Sequence, residues 1–218
     1  TGVRIGWLGD LGGQLPTEPG LLDTCARALD HFRTLVCTVE PALPAFDLEK
    51  LWHAWIDLRS FSVAGANAAL WHDPAKRAML KPEAAWEIER GMALPGTRVY
   101  EAMCVRSAWY QALVQLFAHY DYLVLPAAQV FPFDAEWDWP HAIDGRDMDT
   151  YHRWMQTVVP ATMAGLPALA APAGFGPQGL PAGIQIIGPA QTDAAVLQLG
   201  HAYDQAGGFS RVRSPWLG

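Results

Sequence analysis

Residues Met163–Pro189 read MAGLPALAAPAGFGPQGLPAGIQIIGP, two short apolar runs fenced by glycine and proline. The pattern predicts two strands, Ala168–Pro172 and Ala182–Ile187, joined through a tight turn at Gly176-Pro177-Gln178-Gly179. Pro181 suits a strand start, where its missing N–H breaks no ladder, and Gly183 leaves room for a neighbouring backbone. Alternation sends Ile184 and Ile186 to one face and Gln185 and Ile187 to the other, so Gln185 needs a partner if it is buried. The glycines do not form a phosphate loop. No G-K-[ST] follows them, and the next element is a strand rather than a helix with a free N-terminus.

Working outward, a helix is predicted over Asp193–Ala206, with Thr192 or Asp193 as cap, Val196, Leu199, Tyr203 and Ala206 inward, and Gly207-Gly208 as stop. Another helix is predicted over Met148–Met163, and a buried strand over Tyr122–Leu125. Between them lie about twenty residues, VFPFDAEWDWPHAIDGRDMD, without a period; loops of that length usually cover something. The N-terminal part reads as strand (Val3–Leu8), helix (Pro19–Leu35, capped by Thr17) and strand (Leu35–Val39). Leu22, Cys25, Leu29, Phe32 and Val36 supply that helix's apolar face. Strand, helix, strand in this order predicts a crossover unit, hence an α/β fold with helices flanking the sheet. From Asp47 to Tyr120 the pattern is helical, broken at Asp73-Pro74, Lys81-Pro82 and Leu94-Pro95-Gly96, with Thr97–His119 the best single helix. Trp52, Trp55, Trp71, Trp86, Trp109 and Tyr110 there read as packing rather than a cofactor site.

Composition narrows the function. With 51% hydrophobic and 17% charged residues, the 218-residue chain has the material for a substantial core. A formal charge of −7 without a basic patch argues against nucleic acid as partner. No apolar run is long enough to span a membrane. Cys25, Cys37 and Cys104 lack paired spacing and read as buried free thiols of a cytoplasmic protein. Thr1 leads straight into a strand with no initiator methionine, which predicts a piece of a longer protein.

No complete catalytic constellation is legible. Ser60, Ser62, Ser107, Ser210 and Ser214 sit in neither G-x-S-x-G nor S-x-x-K. Lys50, Lys76 and Lys81 occupy polar helical contexts, which do not lower a lysine pKa. The seven histidines show no metal spacing. Asp144, Asp147 and Asp149 lack the order and the final glutamate of a calcium loop. No catalytic, metal or cofactor residue is therefore assigned.

Three punctuated elements carry a resemblance. The run MAGLPALAAPAGF (163–175), then GLPAGIQIIGP (179–189), then TDAAVLQLGHAYDQA (192–206) is similar to the C-terminal segment of amidase signature enzymes. YDYLVLPA (120–127) and RIGWL (4–8) also resemble that family's strands, and the likeness is strongest from residue 120 onward. The resemblance implies the C-terminal portion of the amidase signature fold, a mixed β-sheet flanked by helices. Residues 1–218 would form the C-terminal part of a single amidase domain, with 44–119 a mostly helical insertion. It implies hydrolysis of an amide bond by serine, a second serine in a cis peptide, and lysine, none of which matches a residue of this chain. The catalytic half would lie outside it, and the chain would be inactive alone. By the same resemblance the helix before the Gly165-Leu166-Pro167 turn borders the acyl pocket, which points to Trp154, Met155 and Val158 as substrate-binding wall residues. Expected partners are a small amide and the absent N-terminal half, or a second copy pairing through an exposed strand edge. The alternatives are a non-catalytic scaffold or binding module derived from an amidase, and an unrelated α/β enzyme.

Overall fold

The computed structural model describes residues 2–212; Thr1 and Ser214 lie outside the described residues. The chain divides into two compact units, one of Thr1–Ala45 with Ala112–Gly218, the other of Phe46–Gln111.

The first unit is built on a five-stranded mixed sheet, ordered β2-β1-β3-β7-β6. β1 (Arg4–Trp7) is followed by α1 (Leu21–Ala28), α2 (Asp30–Thr34) and β2 (Thr38–Pro41), and β1 and β2 run parallel, as the crossover reading requires. The single helix expected over Pro19–Leu35 is thus two, broken at Leu29. The N-cap position is Gly20 rather than Thr17, and no side chain caps the helix. The apolar face is also rotated. Leu21, Cys25, Ala28, Leu29 and Phe32 are buried, while Leu22 is half-buried and Val36 is exposed at positive φ beyond the helix end. The second strand starts at Thr38, three residues later than expected, because the turn after α2 consumes Leu35–Cys37.

β3 (Tyr122–Pro126) lies parallel to β1 and antiparallel to β7 (Pro181–Ile187), which pairs antiparallel with β6 (Ala168–Phe175). Paired residues share a face of the sheet. Ile5, Val124, Ile184, Ile186 and Ala171 therefore form one side, packed with α1, α2 and α9 (Asp193–Gly207) into the core. Leu123, Leu125, Gln185 and Ile187 form the other, all buried. Tyr203 of α9 is fully buried, and its hydroxyl donates to Pro172 O at 2.7 Å, tying the last helix to the sheet's edge strand. α9 comes so close to β6 at Gly200 that a Cβ there would lie 2.0 Å from Leu169 Cδ2. Val196 and Leu199 are buried as expected, and Ala206 is half-buried. Thr192 occupies the cap position without a side-chain cap bond, its hydroxyl donating instead to Pro189 O. The edge strands are short or interrupted. β2 ends in Pro41, and β6 carries Pro172 with a register shift between Pro172 and Gly174, features that blunt an edge against pairing.

The segment Met148–Met163, where periodicity predicts one helix, is a 3₁₀ turn, Arg153–Val158, running into the short helix α8 (Val159–Ala164). Pro160 explains the break: it is tolerated in a helix's first turn but not in the interior of a longer one. The irregular stretch before it contains a small hairpin, β4 (Ala142–Ile143) with β5 (Arg146–Asp147), too short to leave a period in the sequence.

The second unit is helical: α3 (Leu48–Ala66), α4 (Ala68–His72), α5 (Pro74–Arg77), α6 (Pro82–Ala93) and α7 (Gly96–Phe117), whose residues from Ala112 belong to the first unit. Asp47 and Asp73 cap α3 and α5, each accepting two backbone N–H groups. α3 and α6 cross tightly, since a Cβ on Gly91 would fall 2.0 Å from Ser60 O and 2.6 Å from Ala64 Cβ. At this crossing Asp57, 1% exposed, pairs with Arg90 Nη2 and, at 2.7 Å, with Arg98 Nε of α7. Arg59 Nε meets Glu87 at 2.6 Å. Trp52, Trp55 and Trp109 are buried, as the packing reading expects, with Phe46 edge-on to Trp109; Trp71 is half-buried and Trp86 exposed.

The three cysteines are free thiols, but only Cys25 is buried; Cys37 is half-buried and Cys104 exposed. Burial pushes the Cys25 thiol up to about 12, with Arg27 opposing weakly, and the thiol donates to Gly183 O. Cys25 should therefore resist iodoacetamide at pH 8, reacting at least about a hundredfold more slowly than Cys104 because the thiolate is the nucleophile. Peptide mass spectrometry of the alkylated native chain checks this; equal labelling of both would show that α1 does not seal the core.

Candidate functional site

The expected wall residues lie in the Arg153–Val158 turn, at the far end of a buried polar network. Pro126 closes β3, so its carbonyl is the last on that strand, and two donors meet it: Thr157 Oγ1 at 2.7 Å and Gln185 Nε2 at 3.1 Å. The second hydrogen of the Gln185 amide goes to Thr157 O at 2.9 Å. This is the partner that burial of Gln185 demands. Gln129, with no exposed surface, accepts from Thr157 N at 3.2 Å and donates to Pro16 O at 3.0 Å. Its own carbonyl accepts from Glu18 N, and the Glu18 carboxylate accepts from Phe131 N, each at 2.8 Å. Three segments distant in sequence are thereby fixed to one another: the loop after β1, the exit of β3 and the Arg153–Val158 turn.

The network holds Thr157 inward. With about three residues per turn, position i+3 repeats the direction of i, so Trp154 shares the side of Thr157 while Met155 and Val158 share another. The turn departs from helical geometry at Met155, with φ −111° and ψ 19°. Trp154 and Met155 are half-buried and Val158 is 36% exposed. The three expected wall residues thus occupy one element but do not share one face. Gln129 and Thr157 escape sequence reading, since Gln129 sits in an aperiodic loop and Thr157 falls where periodicity predicts a regular helix. The one available signal is Gln185, a polar residue in a buried strand.

Of the described nucleophile candidates, all but Ser60 are hydrogen-bonded, ion-paired or exposed, and the Ser60 hydroxyl is buried without a hydrogen-bond partner among the described residues. Ser107 and Ser210 donate to Met103 O and to the Asp204 carboxylate. Ser60 is buried in the α3–α6 crossing and Ser62 is exposed. Lys76 pairs with Asp73, and Lys50 and Lys81 are exposed. Among the described residues no group of three or more His, Cys, Asp or Glu is placed to hold a metal ion. A cavity of about 100 Å³ beside the β6–β7 turn, lined by Glu18, Phe131, Pro177 and Leu180 among others, is smaller than the ~300 Å³ or more of most ligand sites. No helix among the described residues is long and apolar enough to cross a membrane.

The amidase family profile matches residues 2–197. The chain belongs to the amidase family, the amidase signature enzymes. It is 28% identical over 239 aligned positions to a glutamyl-tRNA(Gln) amidotransferase subunit of Brevibacillus brevis, an alignment covering 99% of this chain and 47% of that protein. A putative amidase of Synechocystis is 39% identical over 93 residues, covering 43% of this chain and 18% of the relative. Among solved structures, a bacterial aryl acylamidase superposes with a TM-score of 0.85 at 23% identity, covering 96% of this chain and 44% of that one. The corresponding glutamyl-tRNA(Gln) amidotransferase subunit of Thermotoga maritima gives 0.64 at 22% identity, covering 93% and 42%. At these identities the structures establish the shared fold. This amidase-family chain spans about half the length, or less, of these relatives. Its mixed sheet with flanking helices is the fold that the resemblance implied.

Proposed function

We propose that residues 1–218 are the C-terminal part of a single amidase domain that hydrolyses a carbon–nitrogen amide bond. The serine nucleophile, the bridging serine of a cis peptide and the lysine lie outside this chain, which is inactive alone. The observation that carries this reading is the family match over 2–197 in a chain whose own described serines and lysines sit apart from any shared site. The chain's part in the reaction is to shape the substrate site. The wall turn of Trp154, Met155 and Val158 would border the acyl group, held to β3 by the Thr157–Gln185–Gln129 network. In the absent half a neutral lysine would draw the nucleophile's proton through the bridging serine while backbone N–H groups bind the oxyanion. The expected partners are a small amide and the catalytic half, in a cytoplasmic setting without nucleic acid.

Ammonia release from a simple amide tests this reading. The 218-residue chain alone should give no turnover, whereas a longer polypeptide that includes the upstream lysine and serine segment should turn over, and lose activity when the nucleophile serine becomes alanine. Turnover by the chain alone, abolished by mutating one of its own residues, would overturn the reading in favour of a site within the chain.

A further inference from the structure

The irregular stretch 131–154 carries an uncommon density of rings: Phe131, Phe133, Trp137, Trp139, Tyr151 and Trp154. Phe131 is buried, and Trp139 packs against His141 and Tyr151. The others form a separate group. Phe133 and Trp137 stack with centroids 6.2 Å apart and planes 21° from parallel, and Trp154 stands edge-on to Phe133 at 5.5 Å and 88°. Trp137 is the most exposed ring of this group, 58% open to solvent, with Phe133 at 37% and Trp154 half-buried. Trp154 belongs to the wall turn, and its Nε1–H is hidden from solvent with no acceptor among the described residues. The rings therefore converge from two separated segments without completing their own packing. An exposed aromatic group of this kind marks a place where an apolar ring is received.

The charges around the group narrow what it receives. Between residues 133 and 141 stand Asp134, Glu136 and Asp138, all exposed, with no lysine or arginine. Asp134 and Asp138 each accept from a nearby backbone N–H, at Glu136 and Trp139, and Asp138 also meets His141 Nε2 at 3.1 Å. These contacts, the Trp139 N–H first, hold the Asp138 carboxyl below its usual range, so it stays ionised. The nearby Arg153 guanidinium is taken by Asp149 and Gln156. A ligand ring at Trp137 thus meets a negative rim, which favours a neutral or cationic substituent and opposes a carboxylate.

We propose that Phe133, Trp137 and Trp154 form an aromatic subsite that selects an amide with an aromatic acyl group, neutral or positively charged. This rests on the amidase reading for the word amide; the ring preference stands on the geometry alone. The subsite joins the wall turn through Trp154, so the acyl ring lies against Trp137 with the scissile amide directed toward the rest of the pocket.

Binding to the 218-residue chain, titrated by ligand-observed NMR, tests the proposal. Benzamide should bind about fivefold more tightly than cyclohexanecarboxamide, the worth of one good ring contact. 4-(Aminomethyl)benzamide should bind at least as well as benzamide, and 4-carboxybenzamide more weakly. Trp137→Ala should erase the preference for benzamide and Trp137→Phe should keep most of it, both with an unchanged circular dichroism spectrum. Equal binding of benzamide and cyclohexanecarboxamide, or a preference untouched by Trp137→Ala, overturns the subsite. Benzyl alcohol against cyclohexylmethanol reads the same ring preference without an amide. If that preference holds while the longer polypeptide hydrolyses no amide, the subsite stands and the amidase reading falls. If the longer polypeptide hydrolyses both amides with the same kcat/KM, the amidase reading stands and the subsite falls.

Discussion

Asp57→Ala is expected to lower stability by about 3 kcal/mol, the low end of what breaking a buried ion pair costs. Asp57 is 1% exposed and is shared by Arg90 of α6 and Arg98 of α7, so one carboxylate joins three helices of the second unit. Removing it takes the buried acceptor from two guanidinium groups, which keep Ile56 O for Arg90 and the exposed Glu101 for Arg98. Their side chains keep 28% and 48% of their exposure, which lets water recover part of the loss and holds the cost to the lower figure. Asp57→Asn should fall between wild type and alanine, because an amide oxygen can accept from one guanidinium but carries no charge. Urea unfolding followed by circular dichroism gives the comparison. If Asp57→Ala and wild type share a midpoint, the three-helix junction is held by packing alone.

Gln185→Ala should cost about 2–4 kcal/mol, from a cavity in the buried face of the sheet plus a carbonyl left without its donor. The two affected carbonyls differ. Pro126 O keeps the Thr157 hydroxyl, whereas Thr157 O loses the amide that Gln185 supplies. Gln185→Leu fills the space but not the hydrogen bonds, and should cost about 1–3 kcal/mol, the range for an orphaned buried group. The difference between the two variants therefore separates volume from hydrogen bonding. Neither substitution touches the exposed ring of Trp137, so a loss of benzamide preference in a folded Gln185→Leu chain would report movement of the wall turn. A Gln185→Leu chain as stable as wild type would mean the network is dispensable to the fold.

Much of the architecture is legible in the sequence because it rests on short-range rules. Glycine and proline around Ile184–Ile187 set the turn and strand limits, since proline lacks an N–H and is confined to strand starts, edge strands and bulges. Alternation places Gln185 on a buried face and raises the need for a partner. The helical pattern expected from Asp47 begins there, and the expected break at Asp73-Pro74 falls where Asp73 caps the next helix. Long-range contacts break the readings that fail. The N-terminal helix splits at Leu29 into two short helices whose buried faces both meet the same core, and the helical period over Pro19–Leu35 cannot register that break. The Arg153–Val158 turn departs from a regular helix where Thr157 gives its N–H and hydroxyl to Gln129 and Pro126, groups 28 and 31 residues away.

The sequence by itself determined the α/β order of strands and helices and the lack of a serine–lysine pair in a recognisable motif, because each depends on residue type and spacing along the chain. Its resemblance to amidase signature enzymes pointed to the family that the match over 2–197 shows. Only the tertiary structure decided that Gln129, Thr157 and Gln185 meet, that Asp57 gathers two arginines, and that Phe133 and Trp137 reach Trp154. The cause is the same in each case. A polar or aromatic side chain finds its partner across folded distance, and local pattern carries the demand for a partner but not its address.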